Sequence, residues 1–183
     1  MTSADYERLG NQLIQHEGLK LRPYKCSLGY LTIGVGYNID ARGLEPLIAA
    51  IKRDVTLEEL YKKGLTEEEA RKLLAVDILV FTQQIRAKFP LFDKLDPIRQ
   101  MVVVDFVFNL GLIGAAGFKT AIRFLKLALQ QTDPELKEAC FTAVAFSMAN
   151  SLWAQQVDDG LGRKYGRADR LAYMMRTGQL SPK

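Results

Sequence analysis

Between Leu9 and Tyr37 the spacing of apolar residues changes from four to two, so a helix must give way to a strand within this stretch. Leu9, Leu13 and Glu17 recur at every fourth position with Ile14 beside them, which predicts a helix whose apolar stripe ends in a carboxylate. Gly18 is placed to terminate it. From Tyr30 onward Leu31, Ile33, Val35 and Tyr37 alternate with Tyr30, Thr32, Gly34 and Gly36, the period of a strand, with Thr32 opposite the apolar face. Leu21 to Cys26, followed by Ser27-Leu28-Gly29, reads as the other arm of a hairpin and its turn.

After Asn38 the signals are helical. Leu44 to Arg53 reads as a short helix, and Thr66-Glu67-Glu68-Glu69 as a capping box opening a long helix that runs to about Lys88 before Pro90. Asp96-Pro97 and Asp133-Pro134 each place an N-cap residue before a proline at the first helical position, so a helix should follow both. Ala116 to Leu129 and Arg163 to Arg176 complete a helical second half. The expected fold class is α+β and mainly helical. Residues 13–65 form a small α+β lobe around the hairpin, 66–88 a connecting helix, and 89–180 an all-helical lobe with 1–12 packed on it. Two lobes imply a cleft between them.

The totals agree with a compact protein. A chain of 183 residues buries roughly 70% of its unfolded surface without staples, and 25% charged with 48% hydrophobic residues excludes disorder and collagen-like repetition. A net charge of +4 draws the surface toward polyanions, either nucleic acid or a bacterial wall. Two cysteines are too few for a disulfide framework and suit a reducing cytoplasm, although a single Cys26–Cys140 bridge stays open. Met1 to Arg8 lacks a basic stretch followed by an apolar run, so the expectation is a protein made in the host cytoplasm without a signal peptide. Met101 to Phe118 is apolar but interrupted by Asp105 and Asn109, and reads as a core helix with its exit turn rather than a membrane span.

Glu17 stands on the apolar side of its helix, where desolvation would keep it protonated as a general acid requires. Alone this says little, because a carboxylate at a helix end is most often solvated. Eight residues separate Glu17 from Cys26 and five separate Cys26 from Thr32. That spacing, within Glu17-Gly18-Leu19-Lys20-Leu21 through Tyr24-Lys25-Cys26 to Thr32-Ile33-Gly34-Val35-Gly36, resembles the catalytic motif of the T-even phage lysozymes, glycoside hydrolase family 24. In that family the glutamate is followed by aspartate or cysteine and then threonine. Phe108-Asn109-Leu110-Gly111 with Gly117-Phe118 resembles the family's helix and turn at the floor of its cleft, and Arg167-Ala168-Asp169-Arg170 its C-terminal helix.

The resemblance implies the family's two-lobed fold and a peptidoglycan muramidase, an endolysin of a phage or prophage, hydrolysing the β-1,4 bond between N-acetylmuramic acid and N-acetylglucosamine. Glu17 would protonate the leaving oxygen while Cys26 and Thr32 hold a water on the other face of the sugar. A free thiol is only a few per cent thiolate at neutral pH unless its site lowers the pKa, so Cys26 is a weaker base than the commoner aspartate. Attack by Cys26 on the anomeric carbon, through a covalent intermediate, is the alternative role. Tyr24, Gly36, Phe108 and Asn109 are the sugar contacts by resemblance, with core packing the competing role for Phe108. Arg167 matches an arginine that pairs with the family's catalytic glutamate, and its competing role is a solvated basic face with Arg163, Lys164, Arg170 and Arg176.

Tyr37 stands where the family often has histidine, and Asp77 matches that histidine's partner, so a tyrosine-to-carboxylate hydrogen bond could replace the pair. His16, the single histidine, should lie at the surface and not bind metal. No cofactor or metal is expected. The expected partner is bacterial peptidoglycan, reached after release across the inner membrane, with transient association with an anionic wall or membrane surface, no nucleic acid, and a monomeric chain. A lytic transglycosylase and a non-catalytic wall-binding or virion structural protein of the same fold are the competing functions. A nucleic-acid-binding module would rest on basicity alone.

Overall fold

The computed structural model describes residues 1–157 and 166–182. The first helix, α1 (Ser3–Glu17), is followed by strands β1 (Lys20–Lys25), β2 (Leu31–Gly34) and β3 (Tyr37–Asn38). Helices α2 (Ile39–Arg42), α3 (Glu45–Ile51), α4 (Leu57–Lys63) and α5 (Glu67–Lys88) come next. A 3-10 turn (Phe92–Lys94) leads to α6 (Pro97–Ala116), α7 (Lys119–Gln130), α8 (Pro134–Ala149), α9 (Leu152–Val157) and α10 (Arg167–Thr177). The α+β, mainly helical class expected from the sequence is the one observed. Residues 163–165 of the helix expected from Arg163 lie outside the described residues.

The chain forms two compact units, Tyr6–Val80 and Met1–Asp5 with Phe81–Lys183. In the first, β1, β2 and β3 make an antiparallel sheet in that order. The β1–β2 hairpin closes as the turn residues suggest: the Cys26 N–H donates to the Tyr30 carbonyl at 3.0 Å and the Gly29 N–H to the Cys26 carbonyl at 2.8 Å. Gly29 takes φ 83°, the left-handed position that a three-residue hairpin loop places at its end.

The single strand expected through Tyr37 is two strands. Gly34 and Gly36, at φ 67° and 76°, turn the chain over, and Ile33 pairs with Tyr37 across the resulting hairpin. Alternation survives the turn because facing residues share a side of the sheet. Ile33 and Tyr37 thus enter one core with Ile39, Leu47, Leu60 and Leu73.

The capping box at Thr66 is present. The Thr66 N–H donates to Glu69 at 2.8 Å and the Glu69 N–H to the Thr66 hydroxyl at 3.1 Å, while Arg53 donates to the same carboxylate at 2.6 Å. The Arg53 guanidinium, with the Thr66 donors, holds the Glu69 carboxyl down at about 2. A second capping box, Thr56 with Glu59, opens α4, a helix absent from the sequence reading. The short helix expected at Leu44–Arg53 is trimmed at both ends to α3, where Lys52 turns into the left-handed region.

In the second unit Asp96 and Asp133 cap α6 and α8 as expected, accepting from the Arg99 N–H and from the Glu135 and Leu136 N–H groups. Helix α6 is long and apolar enough, by length and composition, to cross a membrane. Here Met101, Val102, Val104, Phe106 and Val107 are buried within the fold, as a core helix requires. Its path breaks at Gly111, φ 69° and ψ 166°, and the chain leaves it at Gly117 and Phe118. The helix expected from Ala116 accordingly begins at Lys119, the first residue past that exit turn. Buried Arg99 ties three helices together: it donates to the terminal carbonyls of α10 at Met175 (2.7 Å) and Arg176 (3.0 Å), and its guanidinium lies 3.7 Å from the Phe141 ring centroid on α8.

Candidate functional site

Helix α1 ends where Gly18 adopts φ 79° and donates its N–H to the Ile14 carbonyl at 2.9 Å. Glu17 is therefore the last helical residue, half-buried, with β1 beginning three residues later. Leu13 and Leu9, one and two turns earlier on the same stripe, are fully buried and fix the helix against its unit. Glu17 is only partly buried because the stripe reaches the edge of the core at the helix end.

The β1–β2 register sets Tyr24 opposite Thr32, and the β2–β3 register sets Thr32 opposite Asn38. Directly paired residues share a sheet face, so Tyr24, Thr32 and Asn38 form one row on the side away from Ile33 and Tyr37. Thr32 is buried on that row, and its hydroxyl donates to the Tyr30 carbonyl at 3.0 Å.

Cys26 opens the hairpin turn and is half-buried. Hydrogen bonding draws its thiol below the usual value: the Leu28 N–H contributes most, and the Tyr30 N–H, the Thr32 hydroxyl and its own N–H add to it against the opposing effect of burial. Main-chain N–H groups of a turn favour the ionised form of a thiol placed among them. Replacing Thr32 by valine removes one of these donors. The Thr32→Val variant is expected to move the pH midpoint of Cys26 alkylation by iodoacetamide upward, read by mass spectrometry of the Cys26 peptide; a downward or absent shift would show that the hydroxyl does not stabilise the thiolate.

Tyr24 links the two sides of the site. Burial raises its phenol pKa, and the charges of Cys26 and Glu17 raise it further, so the ring carries a neutral O–H donor within electrostatic reach of both groups. The Lys20 ammonium lies 5.3 Å from the same ring centroid. The hairpin therefore gathers an acid, a phenol, an activated thiol and a hydroxyl in one unit. Gly36 lies exposed in the β2–β3 turn of that sheet.

The remaining candidates belong to the second unit. Phe108 is half-buried and packs on Phe81 at 5.3 Å between centroids. Asn109 is exposed and accepts from the Trp153 indole N–H at 2.8 Å. Arg167 is buried and donates twice to one carboxylate oxygen of Asp105, at 2.7 and 3.0 Å, and to the Asp105 carbonyl at 3.2 Å. The solvated basic face does not apply to Arg167.

Two further expectations are corrected, and the open alternative of a disulfide is closed. The Tyr37 hydroxyl donates to the Gly43 carbonyl at 3.0 Å, not to Asp77; Arg42 binds Asp77 at 2.6 Å and stacks on the Tyr37 ring at 4.1 Å. His16 is half-buried rather than at the surface. Cys26 and Cys140 are both free thiols, not a bridge. Among the described residues no group of three or more histidine, cysteine or acidic side chains is arranged to hold a metal ion. Asp105, Arg42 and Trp153 were the contributors not anticipated. An ionisable residue in the apolar run of α6 was the signal for the first, since such a group is kept only with a partner.

Comparison with known proteins identifies the family. The chain is 27% identical over 173 residues to "Probable T4-type lysozyme 1" of Dictyostelium discoideum, covering 90% of this chain and 91% of that protein. It is 24% identical over 180 residues to "Probable T4-type lysozyme 2" of the same organism, covering 94% and 95%. It is also 28% identical over 179 residues to the pre-baseplate central spike protein Gp5 of Enterobacteria phage T4, covering 94% of this chain but 28% of that longer protein. The phage lysozyme family profile matches residues 14–160, a span that includes Glu17, Cys26, Thr32 and the Asn109 turn, and the chain belongs to the phage lysozyme family.

Proposed function

We propose that this protein is a peptidoglycan muramidase, hydrolysing the β-1,4 bond between N-acetylmuramic acid and N-acetylglucosamine, and serves as an endolysin of a phage or prophage. The observation that carries the reading is the placement of the motif: Glu17 ends helix α1, Cys26 opens the β1–β2 turn, and the strand register sets Tyr24 opposite Thr32 beside it. Family membership and the two relatives named as lysozymes support a muramidase-type activity.

In this reading Glu17 donates its proton to the leaving glycosidic oxygen. The Cys26 thiolate and the Thr32 hydroxyl orient a water on the opposite face of the sugar, and the thiolate takes the water's proton as the C–O bond forms. The lowered thiol pKa supports this role, since a larger share is ionised than in an unperturbed cysteine. Tyr24, held neutral, supplies a donor to a sugar oxygen.

Mass spectrometry of a digest of purified peptidoglycan tests the reaction type. Hydrolysis yields muropeptides with reducing ends; anhydromuramic ends, lighter by one water, would replace hydrolysis with lytic transglycosylation. The similarity to a baseplate spike protein favours a second reading, a virion structural component that keeps the fold. Intact glycan after prolonged incubation with the folded protein would support that reading instead.

A further inference from the structure

An apolar cavity of about 200 Å³ lies within the second unit. Val102, Leu125, Val144, Met148 and Met175 form its buried floor. The break at Gly111 lets the last turns of α6 change direction, so that Leu112, Ala115 and Ala116 supply a wall. Water entering such a space would find few polar partners, and an apolar cavity of about 150 Å³ is already large enough to stay dry and admit a benzene-sized molecule.

The rim is of opposite character. The charged side chains lining the cavity are Lys88 and Lys126, both exposed. Beyond Lys126 a shallow groove on α7 continues past Ile122 and adds Lys119 and Arg123. No side chain of these four cations has a hydrogen bond or ion pair among the described residues, and no acidic side chain lines either the cavity or the groove. Helix α7 explains the geometry: Ala121, Leu125 and Ala128 face the core, while Lys119, Arg123 and Lys126 recur at helical spacing along its outer face.

We propose that this cavity binds the alkyl chain of an anionic single-chain amphiphile, with its phosphate or carboxylate head held by Lys88 and Lys126 and steered by Lys119 and Arg123. A neutral hydrocarbon would use the cavity and leave the cations without a counter-charge. A polyanion would use the cations and leave the cavity empty. An amphiphile satisfies both, and the site is independent of the hairpin cluster.

Titration of the full chain with octyl and decyl phosphate, each below its micelle concentration, tests this by calorimetry. Saturable binding at one site is expected, tighter for decyl phosphate by about fourfold for each added methylene. The Lys88→Ala/Lys126→Ala variant should bind roughly tenfold more weakly, since each exposed charge pair contributes modestly. Val103→Phe, which places a ring in the cavity, should abolish binding. Should that variant fail to fold, nuclear Overhauser contacts between the alkyl chain and the Met148 and Met175 methyls of the unaltered protein give the same information. Absence of saturable binding, affinity indifferent to chain length, or association with phosphatidylglycerol vesicles that persists in a folded Val103→Phe variant would each overturn the proposal, the last by showing surface attraction alone.

Discussion

Glu17→Gln is expected to lower peptidoglycan hydrolysis by about 10²- to 10⁴-fold while leaving the protein folded, because a positioned general acid contributes a factor of that size. Glutamine keeps the length and shape of the side chain and removes the transferable proton. Glu17 lies at a helix end and is half-buried, so an isosteric change there does not open a cavity in the core. Turbidity loss of purified sacculi gives the rate, and circular dichroism confirms the fold. Undiminished lysis by the folded variant would remove Glu17 from the mechanism. Cys26→Asp should retain activity in the same assay, since an aspartate supplies the base that the thiolate supplies here, whereas Cys26→Ala should lose most of it.

The second large effect concerns stability. Asp105 is fully buried in α6 and its carboxylate receives two guanidinium donors from Arg167 on α10. Removing one member leaves a charge in the interior, a change that costs about 3–5 kcal/mol. Asp105→Ala and Arg167→Met are each expected to lower the melting temperature by roughly 10 °C, given about 2–4 °C per kcal/mol for a chain of this size. The double variant should regain much of the loss, because a buried pair and an apolar pair of similar volume are often close in energy. Calorimetric melting of the four proteins closes the cycle. Additive losses in the double variant would mean that the two side chains act independently.

The parts of the fold legible in the sequence were those carried by local chemistry. The Thr66–Glu69 capping box and the Asp-Pro pairs mark helix starts because backbone N–H groups at a helix end must find acceptors nearby. The Ser27-Leu28-Gly29 turn was legible for the same reason, since one residue must take a left-handed φ. What was lost depended on contacts between distant residues. Period-two alternation passes through a tight hairpin unchanged, so the turn at Gly34 and Gly36 looked like a continuing strand. Arg42 lies 35 positions from Asp77, and only the folded chain brings them together. The Thr56–Glu59 capping box was readable in principle, but the helix it opens spans seven residues, too few for a clear apolar period.

In the candidate site, spacing singled out Glu17, Cys26 and Thr32, while the place of Tyr24 opposite Thr32 follows from the β1–β2 register. The tuning of the thiol was not legible. It comes from main-chain N–H groups at Leu28 and Tyr30, whose direction follows from turn geometry rather than from side-chain identity.

Proton NMR of the first product released from a purified glycan strand tests most directly whether the Cys26–Thr32 pair delivers water. Attack by water on the face opposite Glu17 predicts inversion, with the α-anomer of the new reducing end appearing first and no adduct on Cys26. First appearance of the β-anomer, or a glycosyl mass increment trapped on the Cys26 peptide during turnover, would contradict it and make the thiol a nucleophile.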